Sequence, residues 1–411
     1  MQSNRNKSSK TVEYKSMESF FRTHTYLVEH THTSVRRTLM DEIDWSQRLI
    51  GIKGTRGVGK TTFLLEYAKE HFDARDRRCL YINMNNFYFQ GRGLHNFAGE
   101  FYAQGGRVLL IDQIFKNAEW NREIRLCYED YPKLQIIFTG SSVMQLRNDP
   151  MLGSLTACYS LRGFSFREYI NLKAGTNFHP LTLESLLYNH ESLAKTVTEK
   201  VDVNSLFQEY LHHGFYPFFL EHRNYSENLL KNMNMMIEVD ILLIRQIELK
   251  YLSKIKKLYY LLALETGKSP NISKLAESID TSRATVMNYI KCLADARLLN
   301  IIYHKGGVFP KKPAMVVVNN PNLIYTVYPR NFGDREILNS FFINQLRKDH
   351  IVNKERTGDA YLLDGKCCVR ISTKGESESK NRYSKDSYIA TNGLKIGCGR
   401  KLPLWTFGFL Y

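Results

Sequence analysis

The residues with the clearest chemical use are Gly54-Thr55-Arg56-Gly57-Val58-Gly59-Lys60-Thr61-Thr62. The first eight fit G-x-x-x-x-G-K-[ST], a loop whose glycines turn tightly and aim main-chain N–H groups at phosphate oxygens. Lys60 is expected to reach the β- and γ-phosphates of a nucleotide, and Thr61 to offer its hydroxyl to Mg2+. The N-terminus of the following helix adds partial positive charge. Asp112, at the end of the apolar run Val108-Leu-Leu-Ile, is expected to be the second Mg2+ ligand; its other reading is a strand-terminal turn residue. Gln113 follows it, where a carboxylate could polarise an attacking water. Lys60 and Gln113 are the candidate catalytic residues; an amide orients water, as a glutamine does in some GTPases, but accepts a proton poorly, so Gln113 predicts weak hydrolysis. Thr139-Gly-Ser-Ser142 closes another apolar run, and two readings stay open: hydroxyls facing the nucleotide, or a plain turn.

These residues need a frame. Residues 18–45 read as helical, and apolar runs at 48–53, 79–84, 108–112 and 135–139 read as strands. Helical patterns at 61–70, 94–102 and 120–130 alternate with them, which predicts an α/β fold with a mostly parallel sheet. Residues 164–266 read as mainly helical, 271–299 as a helix–turn–helix, and short strands return at 315–318, 360–363 and 367–371. Segment 377–387 reads as a polar loop.

Composition narrows the class. The chain has 411 residues, 43% of them hydrophobic, with a formal net charge of +16. Wholesale disorder is excluded. The charge fits a polyanionic partner such as DNA, RNA or an anionic membrane surface, or solubility alone. The longest apolar run is seven residues, Leu258 to Leu264, short of the roughly 18 that a membrane span needs. The first 20 residues carry no apolar core of a secretory leader. Seven cysteines without C-x-x-C spacing argue against a disulfide framework or zinc site and for a cytoplasmic location.

RLIGIKGTRGVGKTTFLLEY, YAQGGRVLLIDQ, YPKLQIIFTGSS and LRGFSFREYI, with GFYPFFLE (214–221), SFFINQLRKDHIVN (340–353) and KLPLWTFGFLY (401–411), resemble prokaryotic AAA-type ATPases with a C-terminal domain of unknown function. The resemblance implies an N-terminal extension (1–33), an AAA-like P-loop core (34–163), a helical lid (164–250), a winged helix (251–305) and a smaller α+β, restriction-endonuclease-like domain (306–411). It implies ATP and Mg2+ as cofactors. Three positions depart from the family pattern. Gln113 replaces a glutamate. Residues 153–159 lack the family's arginines, with Arg162 and Arg167 nearby but aligned differently. Val369-Arg370-Ile371-Ser372 replaces an acidic strand. Arg370 beside Asp359, the remaining candidate carboxylate, predicts no nuclease activity.

In the helix–turn–helix, Leu275, Ala276, Ile279, Val286, Ile290 and Leu293 are the expected core, and Asp280 or Thr281 the expected cap. Arg283, Thr285, Asn288, Tyr289 and Lys291 are expected off the core, where they suit a DNA groove; a module that binds a protein is the other reading. Residues 366–401 carry nine Lys or Arg against three acids, a surface for a phosphate backbone or a solvated face. His24, His30 and His32 read as polar surface rather than metal ligands.

Overall fold

The computed structural model describes residues 17–144, 150–221, 224–327, 333–373 and 387–411. The chain divides into two units, one ending at Arg162 and the other beginning at Gly163.

In the first unit, a helix over 17–29 (α1) precedes α2 (Leu39–Glu42), β1 (Leu49–Gly54), α3 (Lys60–His71), β2 (Cys79–Asn83), α4 (Tyr88–Gly91), α5 (Leu94–Ala103), β3 (Val108–Asp112), α6 (Trp120–Asp130), β4 (Gln135–Ser141), α7 (Pro150–Leu155) and β5 (Ala157–Ser160). The expected continuous helix over 18–45 is broken. The Thr31 hydroxyl donates to the Leu27 carbonyl at 2.6 Å, a side-chain bond that competes with the helix ladder in a stretch of Thr, His and Ser.

All five strands run parallel in the order β2-β3-β4-β1-β5. Ile50, Ile52, Leu109, Leu110, Ile136 and Ile137 are fully buried, as strands covered on both faces require. Parallel strands end on the same edge, so Gly54, Asn83, Asp112 and Ser141 come together there, with Asn83 opposite Asp112 and Gly54 opposite Ser141. β4 lies between the phosphate-loop strand and the strand ending at Asp112. β5 carried no apolar-run signal, because its residues alternate between half-buried and exposed.

The second unit contains α8 (Phe166–Ala174), α9 (Leu183–Thr198), α10 (Val203–Glu209), α11 (Tyr225–Met235), α12 (Leu242–Arg245), α13 (Leu252–Leu264), α14 (Ile272–Ser278), α15 (Arg283–Asp295), β6 (Leu299–Ile302), β7 (Met315–Val318), α16 (Pro321–Val327), α17 (Asp334–Leu346), β8 (Val352–Lys354), β9 (Tyr361–Leu363), β10 (Cys367–Ser372), β11 (Ser387–Thr391) and β12 (Lys401–Pro403). The last five strands form a mixed sheet ordered β12-β11-β10-β9-β8. Phe166, Tyr210, Phe341, Phe342, Trp405 and Phe407 share one buried core. Ser165 and Glu168 form a capping box at the start of α8, which gives the S-F-R-E motif a local structural role.

α14 and α15 pack together and are followed by the antiparallel pair β6–β7. The six expected core residues are all buried. Two expectations fail. The cap of α15 is Ser282, whose hydroxyl accepts from the Thr285 N–H at 3.1 Å, and not Asp280 or Thr281. Asp280 instead takes a left-handed conformation, φ 48°. Tyr289 is buried, 7% exposed, because helical spacing places it beside Val286 and Leu293 rather than on the outer face.

Candidate functional site

The loop after β1 owes its shape to three glycines. Gly57 and Gly59 have φ of 79° and 90°, the left-handed region that side chains rarely adopt. A Cβ on Gly54 would lie 2.5 Å from the Leu161 carbonyl oxygen. Val58 is fully buried and Thr55 nearly so. The Arg56 guanidinium lies 6.0 Å from the Phe115 ring centre. Arg37, buried in the preceding segment, donates to the Val58 carbonyl at 3.2 Å and the Arg162 carbonyl at 2.7 Å, pinning the outer turn of the loop.

Lys60 opens α3, and its ammonium donates to the carbonyls of Gly54 and Thr55 at 2.9 and 2.8 Å. The loop thereby gathers a cation, a helix N-terminus and turned backbone around one small volume, an arrangement suited to a polyphosphate. Thr61 and Thr62, the next two positions of α3, are exposed.

The Thr61 hydroxyl donates to Asp112 Oδ2 at 2.7 Å. Two hard oxygen ligands from different elements therefore stand side by side, the donor set that Mg2+ takes. Asp112 is almost fully buried. Its Oδ2 also accepts from the Tyr81 hydroxyl at 3.1 Å and the Asn83 amide at 3.3 Å, and its Oδ1 from the Thr139 hydroxyl. Burial, and next the charge of Asp112, raise the Tyr81 pKa, so the phenol stays a donor.

Thr139 also accepts the Gln113 N–H at 2.9 Å. Gln113 itself adopts φ 56°, a strained region for a non-glycine residue. Its side-chain amide is half-buried and has no hydrogen-bond partner among the described residues. Ser141 closes a turn by accepting from the Val143 N–H at 3.3 Å. Within 139–142, Thr139 faces the Asp112 carboxylate and Ser141 makes a turn.

Sequence reasoning missed Tyr81, Asn83 and Arg37. Tyr81 and Asn83 are two apart on β2 and so share a face, but only the strand order brings that face to Asp112. His24, expected on the surface, is buried. Its Nδ1 accepts from the Tyr81 N–H on edge strand β2 at 3.0 Å, and burial pushes its pKa down to about 4. Among the described residues no cluster of His, Cys, Asp and Glu could hold a metal by itself. Arg167 is buried and donates to the main-chain oxygens of Tyr411 and Phe178, each at 3.0 Å. Of the basic tail, residues 374–386, with most of the 377–387 loop, lie outside the described residues.

Comparison with known proteins places this site in a class. A family model described as an AAA domain matches residues 46–170, and a model described as domain of unknown function DUF8612 matches residues 204–308. Residues 46–170 thus match an AAA-type P-loop region. An uncharacterized protein, MJ1637, of Methanocaldococcus jannaschii is 28% identical over 279 residues, 64% of this chain and 59% of the relative. The chain thus spans about three-fifths of that relative's length. The structure of C. elegans PCH-2 matches at 14% identity over 36% of this chain and 42% of that chain, with a TM-score of 0.23, too low to define a fold. No helix among the described residues is long and apolar enough to cross a membrane.

Proposed function

We propose that residues 54–62 bind ATP with Mg2+ held by Thr61 and Asp112, and that this binding gates a C-terminal half that contacts nucleic acid. The observation that carries the nucleotide reading is the Thr61–Asp112 pair, 2.7 Å apart at the edge where the phosphate loop ends. Lys60 would exchange its bonds to the Gly54 and Thr55 carbonyls for phosphate oxygens. Bound Mg2+ would neutralise charge on the β- and γ-phosphates. Tyr81, Asn83 and Thr139 hold the Asp112 carboxylate by donating to it, and Arg37 holds the loop. Gln113 orients water without accepting its proton, so hydrolysis is weak.

In the second unit, α14, α15 and the β6–β7 pair form a winged helix in this reading. Nuclease chemistry is not part of the proposal. Asp359 receives a hydrogen bond from Arg335 at 2.8 Å, with Lys354 at 3.9 Å, and Arg335 first, then the nearby cations Lys354 and Arg370, hold its carboxyl below the usual range. A carboxylate so surrounded by cations is poorly placed to hold a metal.

A second reading is a hydrolysis-deficient ATP-binding protein whose winged helix engages a protein partner. It is favoured by ion pairs that neutralise the helix–turn–helix: Lys291 and Arg245 both pair with Asp295, and Lys254 pairs with Asp280.

ATP binding and turnover on purified protein with Mg2+, with and without duplex DNA, separates the two. Binding lost in Lys60→Ala and turnover that rises on DNA supports the first reading. Binding without turnover, with turnover gained in Gln113→Glu and no response to DNA, supports the second. No binding by the wild type refutes both.

A further inference from the structure

As surfaces for the proposed nucleic-acid contact, α15 and the connector between β6 and β7 differ in free charge. On α15, Lys291 is held by Asp295, leaving Arg283 as the only cation of that helix without an ion pair among the described residues. The connector between β6 and β7 is different. Residues 303–314 carry Lys305, Lys311 and Lys312, all exposed, and no acid. None of these three lysines makes an ion pair among the described residues.

The connector is anchored rather than loose. Its root carbonyl, Tyr303, accepts from the Lys354 N–H at 2.9 Å and the Asn353 amide at 3.2 Å. His304 Nδ1 lies 2.8 Å from the Lys354 carbonyl, and Ser269 donates to the Pro313 carbonyl at 3.2 Å. Beside this anchor, Lys354 on β8 and Arg335 on α17 are both paired with Asp359, so the free charge of this surface is that of the connector's own lysines. Between the lysines, Val308 and Phe309 are 64% and 37% exposed. An apolar tip bracketed by cations suits a shallow groove lined by phosphates.

We propose that the 303–314 connector, and not the outer face of α15, binds the sugar–phosphate backbone of duplex DNA without reading its sequence. This rests on the nucleic-acid reading above. Backbone neutralisation makes log K fall with log salt by about 0.9 per phosphate contacted. Three lysines therefore account for a slope of about 2.7. Between about 50 and about 200 mM salt, that slope corresponds to about 40-fold in affinity.

The test uses the full chain and two unrelated duplexes of about 30 base pairs, with anisotropy followed across that salt range. The triple variant Lys305→Ala/Lys311→Ala/Lys312→Ala is expected to lose about 2.7 from the slope equally on both duplexes, with thermal midpoint and basal ATP binding unchanged. The double variant Arg283→Ala/Asn288→Ala is expected to leave the slope within about one unit. A slope unchanged in the triple variant but lost in the double one overturns the inference and leaves the nucleic-acid reading standing. Wild-type protein that binds neither duplex at low salt overturns both, and so does binding to phosphatidylserine vesicles in place of DNA.

Discussion

Thr139→Val isolates the hydroxyl that ties Asp112 to Gln113. Thr139 is fully buried, and valine has nearly its shape, so packing is preserved. Two bonds are lost. One is the charge-assisted bond to Asp112 Oδ1, worth about 1.5–3 kcal/mol. The other leaves the Gln113 N–H without its acceptor, at about 1–3 kcal/mol. Partial relaxation brings the expected loss to about 3 kcal/mol. In a unit of this size that lowers the thermal midpoint by about 6–12 °C. Thr139→Ser keeps the hydroxyl and loses a methyl, at about 1 kcal/mol. The shape-preserving variant is therefore expected to be the less stable of the two, the reverse of what packing alone predicts. Denaturant melts of the wild type and both variants provide the comparison. If Thr139→Val lies within about 0.5 kcal/mol of wild type, or if Thr139→Ser is the worse, the hydroxyl does not hold the carboxylate and the reasoning fails. The same variant is expected to need more Mg2+ to reach half-saturation with ATP, because Asp112 is less firmly oriented.

Acid sensitivity follows from His24. Its folded pKa, near 4, lies below the usual 6.5, so between those values the unfolded chain binds a proton that the folded chain does not. Stability is expected to fall by up to about 3 kcal/mol as pH drops from about 6.5 to about 4, and His24→Gln should flatten that dependence in melts at pH 7 and 5. Gly54→Ala drives a Cβ into the Leu161 carbonyl, backbone that cannot swing aside; a loss of about 1–3 kcal/mol together with loss of ATP binding is expected, and calorimetric titration and thermal melts would report both. Ser282→Ala should destabilise the second unit by about 1 kcal/mol, whereas Asp280→Ala and Thr281→Ala should not; equal effects in denaturant melts would reject Ser282 as the cap. Gln113→Glu is expected to raise ATP turnover without raising affinity, read in a steady-state phosphate-release assay.

The phosphate loop was legible because its chemistry is local. Glycines, lysine and threonine at fixed spacing dictate a turn and a helix start whatever surrounds them, and the four longer strands announced themselves by apolar runs bounded by polar residues. Asp112 was legible for the same reason, standing at the end of such a run. The helix break at 31–38, the half-exposed strand β5 and the burial of Tyr289 were not, since each depends on which face meets a neighbour. What surrounds Asp112 was hidden more deeply. Tyr81, Asn83 and Thr139 lie 27 to 31 residues from it in sequence, and nothing in local spacing gives the order β2-β3-β4-β1-β5. Sequence determined which groups could handle a phosphate and a divalent cation. Tertiary structure decided which donors converge on the one buried carboxylate, and which basic residues are already neutralised by neighbouring acids, because both depend on packing between segments that the chain keeps far apart.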